Sequence, residues 1–176
     1  MTRRVSVSLM VTVLLVSASI APLPAAQRLV DVRQIATDTL HDVAVATYER
    51  GRPVIYYNPI LIQRVGPELA DFFLAHEYGH IAYGHAGGAL AEPRDDWGNL
   101  RQKQELEADC YATQTLADDN RPAVDAALQF FGRMGQFRFD NLHPSGSQRA
   151  AKILACLPQT DKDASEDRRK PGRLGH

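Results

Sequence analysis

Hydrophobic and polar positions along the chain fall into segments of two different periods. Over residues 29–40, "LVDVRQIATDTL", apolar side chains stand at Leu29, Val32, Ile35, Ala36 and Leu40, the spacing of a helix face. The run "DVAVATYE" then alternates and is rich in β-branched residues. "RGRP" turns, and "VIYYN" resumes in the same manner. This pattern predicts a hairpin in which Val43–Tyr48 pairs with Val54–Tyr57 through Glu49–Pro53. "NPILIQRVGP" reads as a connector. Gly66-Pro67 opens a helix, with proline at its first position and Glu68 in its first turn.

From there helical periodicity dominates. The pattern predicts a helix over Pro67–Tyr83, a glycine-rich loop over 84–98, and a second helix over Leu100–Ala117 that ends at "DDNRP". A third helix is expected over Ala123–Met134, an irregular stretch over 135–146, and a last helix over Ser147–Leu157 stopped by Pro158. Residues 159–176 are polar and read as a disordered tail. One hairpin among several helices predicts an α+β domain over 27–158. Its centre is the helix of 67–83, which Leu69, Phe72, Phe73, Ile81 and Ala82 make largely apolar.

Composition adjusts this picture only at the margins. A chain of 176 residues suits one domain with a core of its own. Its 20 basic and 21 acidic side chains nearly cancel, and no basic stripe points to a nucleic-acid partner. The head is different. "MTRR", an apolar run over 5–20 and "APLPAAQ" follow the three-part layout of a secretory signal peptide, expected over 1–26 with an uncertain cleavage site. The apolar run, laced with serine and threonine, falls short of the roughly 20 apolar residues of a spanning helix. The expectation is an exported chain, periplasmic or secreted, with no stable membrane span after processing. In an oxidising compartment Cys110 and Cys156 are expected to bond. The bridge would close a loop of about 46 residues and stabilise by about 4 kcal/mol in the chain-entropy model. Two buried thiols are the alternative.

Candidate chemistry is concentrated in "LAHEYGHIAYGH", Leu74–His85, which holds three of the six histidines. "HEYGH" fits H-E-x-x-H. On a helix, His76 and His80 are neighbours about 5–6 Å apart, and two imidazoles so placed can both reach a zinc ion at about 2.0–2.1 Å. Glu77 projects about 100° round the axis from His76, beside such an ion, where a carboxylate can act as general base. Burying these groups without partners would cost several kcal/mol, on the order of 2–7 for each polar group.

Catalytic zinc takes three protein ligands, so a third is needed. His85 follows His80 by five residues where metzincin spacing needs six, so a loop-anchoring role suits it better. "QELEADCYA" offers Glu105 and Asp109 on one helix face, kept thin by Ala108 and Ala112. One carboxylate can bind the metal and the other can accept the free N–H of a ligating histidine. Glu107 points elsewhere. Taken alone, "ELEAD" is ordinary helix sequence. Asp95, Asp96 and Trp97 read as loop surface rather than a calcium site.

H-E-x-x-H followed by a helix bearing E-x-x-x-D resembles the gluzincin metallopeptidases. It is most similar to the group that contains the CAAX prenyl endopeptidase, the HtpX-type membrane peptidases and their periplasmic relatives. "HPSGSQR", His143 to Arg149, resembles that group's H-P-x-x-x-x-R segment. The resemblance spans about Val43 to Leu157, without the membrane helices of larger members, and implies a minimal zincin-like domain. It further implies His76, His80 and Glu105 as ligands of one zinc ion, Glu77 as base, Asp109 as the histidine's partner, and His143 and Arg149 lining the catalytic site. Intracellular H-E-x-x-H peptidases with a later E-A-x-x-x-A helix are the next match, and the export signal and the H-P segment argue against them. The expected activity is endopeptidase hydrolysis of a protein or peptide substrate, with Arg149 or His143 stabilising the oxyanion. The hairpin edge could hold that substrate by strand addition, or "VIYY" could be plain core. The alternatives are a zinc-bound but non-hydrolytic binding or chaperone-like module, and a latent peptidase. A closed structural site would need four ligands, usually cysteines, and Cys110 points about 100° away from Asp109. The oligomeric state has no signature.

Overall fold

The alternating segment folds as its period dictates. β2 (Ala44–Glu49) and β3 (Arg52–Tyr57) pair antiparallel, with Ala44 opposite Tyr57 and Glu49 opposite Arg52. Arg50 and Gly51 link them, both at positive φ (49° and 76°), the handedness that matches a two-residue turn to the twist of its strands. The computed structural model describes residues 32–86 and 97–158. Those residues all belong to one compact unit, Asp31–His176.

β1 (Arg33–Ala36) adds to the other side of β3 in parallel, Arg33 opposite Val54, giving the order β1-β3-β2. This corrects the helix expected over 29–40. The segment is rich in valine, isoleucine and threonine, and the open edge of β3 offers it backbone partners that a local helix cannot match. Only Ile35 within β1 is more than slightly covered, so the apolar spacing there never served a helix face.

The connector expected after β3 is also helical. Asn58 caps α1 (Pro59–Val65), its side chain accepting from the amides of Ile60 and Leu61, and Pro59 takes the first position. The Asn58 amide donates to Leu40 O and so pins the loop before β2. α2 (Pro67–Ala82) follows after Gly66, whose φ of 87° permits the sharp entry. α3 (Trp97–Leu116) starts three residues earlier than expected and takes Trp97 out of the loop. α4 (Arg121–Met134) and α5 (Gly146–Cys156) complete the chain order. α5 opens with a full capping box between Ser145 and Gln148.

α2 is central, packing on α1, α3, α4 and β2. Its Leu69 and Phe72 meet Phe131 and Val124 of α4, with Ile153 of α5 and Leu157 just beyond it, in one apolar core. Phe72 and Phe131 stand edge to face at 6.4 Å. The fold is therefore the expected α+β domain, with the H-E-x-x-H helix between a hairpin and further helices. Cys110 and Cys156 form a disulfide that ties α3 to α5. Among the described residues no helix is long and apolar enough to cross a membrane. The signal peptide expected over 1–26, the tail over 159–176, and Asp95 and Asp96 lie outside the described residues.

Candidate metal centre

α2 and α3 approach closely because the residues between them are small. Ala108 and Ala112 are fully buried, and Gly79 faces Ala108 with no side chain. A Cβ at Gly79 would lie 3.0 Å from both Ala108 Cα and Tyr111 Cβ. This contact carries Glu105 and Asp109 of α3 to the histidine face of α2.

His76 Nε2 lies 3.2 Å from Glu105 Oε2, His80 Nε2 lies 3.3 Å from Glu105 Oε1, and the two Nε2 atoms are 3.0 Å apart. All three side chains are buried, and a ligand atom from each falls within 4.8 Å of the others. Behind them, His76 Nδ1 is 3.0 Å from Asp109 Oδ1. Arg149 holds Asp109 in turn, donating from Nε to Oδ2 at 2.8 Å and from Nη2 to Oδ1 at 2.6 Å. Its guanidinium also lies 4.0 Å from the Phe131 ring centroid.

The electrostatics of this chain give each group a definite protonation. Burial works against charge on His76, but the Asp109 and Glu105 carboxylates on its two nitrogens outweigh it and raise its pKa to about 10. For His80 burial prevails over the bond to Glu105, and its pKa falls. Glu105 is buried too, yet its bonds from His76 and His80 hold it well below the usual carboxylate range. Asp109 is likewise lowered, burial being overcome by Arg149. At neutral pH His76 therefore donates from Nδ1 to Asp109 and from Nε2 towards Glu105, with His80 Nε2 beside it at 3.0 Å.

The donor set fits a cation. With His76 Nε2 deprotonated and His80 in its Nδ1–H tautomer, two imidazole lone pairs and an ionised carboxylate converge on one point, while Asp109 accepts from His76 Nδ1–H and fixes that ring's tautomer. The buried His76, His80 and Glu105 group could hold a metal ion. Mixed imidazole and carboxylate donors suit several divalent transition metals.

Glu77 lies beside this cluster, held by the hairpin. Its Oε2 accepts from the backbone N–H of Ala46 at 2.6 Å. Val43 O accepts from Asn58 N, so alternate residues of β2 turn towards β3 and the amide of Ala46 turns away from it. β2 is an edge strand, and Glu77 uses one of its free donors. Burial raises the Glu77 carboxyl to about 7 against the opposing pull of the His76 charge.

These groups open on a cleft of about 650 Å³, whose walls include β2 residues 44–47, Glu77, His80, Glu105, His143 and Arg149. His143 is on the rim, its Nδ1 2.8 Å from Asp140 Oδ1. The structure thus brings His76, His80, Glu105 and Asp109 into direct contact and sets Glu77 alongside. His143 reaches only the cleft wall, and Arg149 spends two donors on Asp109. His85 is buried with Nε2 3.3 Å from Glu107 Oε2, and its Nδ1 has no hydrogen-bond partner among the described residues. Sequence reasoning missed the Ala46 amide and the apolar wall built from Leu61, Val65, Phe73 and Phe130. Only Phe73, one turn before Glu77, carried a spacing signal for it.

Comparison with known proteins finds no matching family model. It finds no matching curated protein and no matching solved structure.

Proposed function

We propose that the chain is an exported zinc-dependent endopeptidase. One observation carries the reading: two histidines and a glutamate converge as a buried donor set while a second glutamate, with a raised pKa, is held beside them on an open cleft. The disulfide and the signal-like head agree with export. The gluzincin resemblance supplies the reaction class.

His76, His80 and Glu105 would hold the ion, and Asp109, braced by Arg149, orients the His76 ring. Zinc bound there would supply a Lewis acid for the scissile carbonyl and would ease deprotonation of the attacking water near neutral pH. Glu77 takes a proton from the attacking water and passes it to the leaving nitrogen. Its bond to Ala46 N–H fixes Oε2 and leaves Oε1 for the transfer. The other outward-facing groups of β2 can take an extended peptide by strand addition. His143, which lines the cleft, would donate to the carbonyl oxygen as it becomes anionic, and Arg149 would act behind Asp109.

Metal analysis and peptide hydrolysis test this together. Wild type is expected to hold one zinc and to cleave an unstructured protein substrate. Glu77→Gln is expected to keep the zinc and lose about 10²–10⁴ in kcat, and Glu105→Gln to lose the zinc. A Glu77→Gln protein with full activity would end the peptidase reading in favour of a non-hydrolytic module. Equal zinc in Glu105→Gln would remove that residue from the ligand set.

A further inference from the structure

Past the C-terminal end of α2 the cleft is lined by two polar side chains that the proposed chemistry does not use, His85 and Arg101. Gly84, at a φ of 71°, turns the chain out of the helix. The His85 ring then stands edge to face with that of His80, 5.5 Å between centroids. His85 is only 8% exposed. Its Nε2 lies 3.3 Å from Glu107 Oε2, while its buried Nδ1 has no hydrogen-bond partner among the described residues. Burial lowers the pKa of the ring, and the nearby Arg101 charge acts in the same direction. In the neutral ring Nε2–H goes to Glu107, and Nδ1 is left as an acceptor. Arg101 stands on α3 one turn before Glu105 and so on the same face. It is half-buried, and among the described residues it makes no hydrogen bond or ion pair.

An unmet acceptor and an unmet donor at one end of a cleft favour a ligand that brings the complement of both. A metal ion does not qualify. Among the described residues three metal-ligating donors converge only at His76, His80 and Glu105, and the Arg101 charge would repel a cation. A carboxylate suits Arg101 but carries no hydrogen for Nδ1, and Glu107, which holds the same ring, would repel it. A carboxamide supplies both groups, its C=O accepting from the guanidinium and its N–H donating to the imidazole. Resting on the peptidase reading, which makes the ligand a peptide, we propose that His85 and Arg101 form a subsite that selects a side-chain carboxamide, glutamine or asparagine, in the substrate. The two residues present the same group at different reach, and the test separates them. A site that hydrogen-bonds its ligand rejects an analogue of the same shape without those groups far more strongly than an apolar pocket rejects a missing methylene.

The test separates binding from cleavage. Zinc-loaded full-length Glu77→Gln protein is titrated with fluorescein-labelled octapeptides, read by anisotropy. Each position in turn carries Gln or its near-isosteres Glu and Met, and Asn or its near-isosteres Asp and Leu. At one position Gln or Asn is expected to bind about tenfold tighter than both of its isosteres. Arg101→Gln, and the gentler Arg101→Lys should the first fail to fold, are expected to shrink that preference while zinc content stays unchanged. His85→Phe, which keeps a ring against His80, is expected to do the same. Tighter binding of the carboxylate or of the hydrocarbon, equal affinity at every position, or no binding of any peptide at about 1 mM overturns the subsite. So does a preference unchanged in either variant, or one lost only together with the zinc. Wild type is then assayed on the same panel. Carboxamide-selective binding without cleavage by wild type keeps the subsite and removes the peptidase. Cleavage of all peptides alike does the reverse.

Discussion

His76 is the residue where structure, charge and the proposed metal site meet. Its ordinary pKa of 6.5 is raised to about 10, burial being outweighed by the two carboxylates it touches. The folded state therefore binds this proton more tightly than the unfolded chain. The stability it contributes is complete below pH 6.5 and is lost as pH rises through about 10. Metal-free protein is expected to lose thermal stability across that window, and a His76→Gln variant to lack the slope. Zinc bound as proposed would displace the same proton, so calorimetric titrations at neutral pH in buffers of different ionisation heat should show about one proton released. A zinc titration independent of buffer would mean that His76 is already neutral. Much of this site was legible in the sequence, because H-E-x-x-H and E-x-x-x-D each put two groups on one helix face. Which carboxylate meets the metal position and which meets the imidazole could not be read from spacing, since that depends on how α3 is set against α2; only the gluzincin resemblance implied Glu105 for the first and Asp109 for the second. The Ala46 amide could not be read at all, because a backbone donor has no residue type to announce it.

Between elements, the α2–α3 contact determines whether the donors meet, and Gly79 controls that contact. Its nearest neighbours are Ala108 Cα and Tyr111 Cβ, each 3.0 Å from where a Cβ would be. Neither is the free end of a flexible side chain. Gly79→Ala must push the helices apart by a few tenths of an ångström, at a cost of about 1–3 kcal/mol. His76 and His80 are on one side of the opened seam and Glu105 on the other, so zinc affinity should fall along with stability. Chemical denaturation and competition with a chromogenic chelator measure the two effects. Full zinc affinity in a destabilised Gly79→Ala protein would show that the ligand geometry does not depend on this seam. The elements themselves were readable to differing degrees. α2, α4 and α5 carry apolar faces and recognisable starts, and all lie within a few residues of expectation. α1 was lost although Asn58-Pro59 is a cap followed by proline, because a helix of seven residues is too short to display a period. β1 was misread because its partner strand lies across the turn of the hairpin, and no local pattern records that pairing.

At the scale of the whole molecule, α5 is fastened to α3 at both of its ends. In its first turn Arg149 grips Asp109, and at its last residue Cys156 is bonded to Cys110, the residue next to Asp109. Between these points Ile153 is fully buried in the core. The two fastenings differ in kind. The ion pair orders the face of the proposed metal site in the folded state, whereas the bridge, closing a loop of 46 residues, acts mainly by restricting the unfolded chain. Replacing both cysteines with serine is thus expected to lower unfolding stability by about 2–5 kcal/mol while zinc affinity under native conditions changes by less than about threefold, well within 1 kcal/mol. Urea unfolding of the metal-free proteins reads the first quantity, and chelator competition reads the second. If zinc binds the folded chain as proposed, saturating metal should restore part of the lost midpoint by mass action. A double variant as stable as wild type would show that the bridge is redundant with the Arg149 clamp. A large loss of zinc affinity would instead mean that the bridge helps to position Asp109 in the native state, placing the disulfide within the architecture of the site.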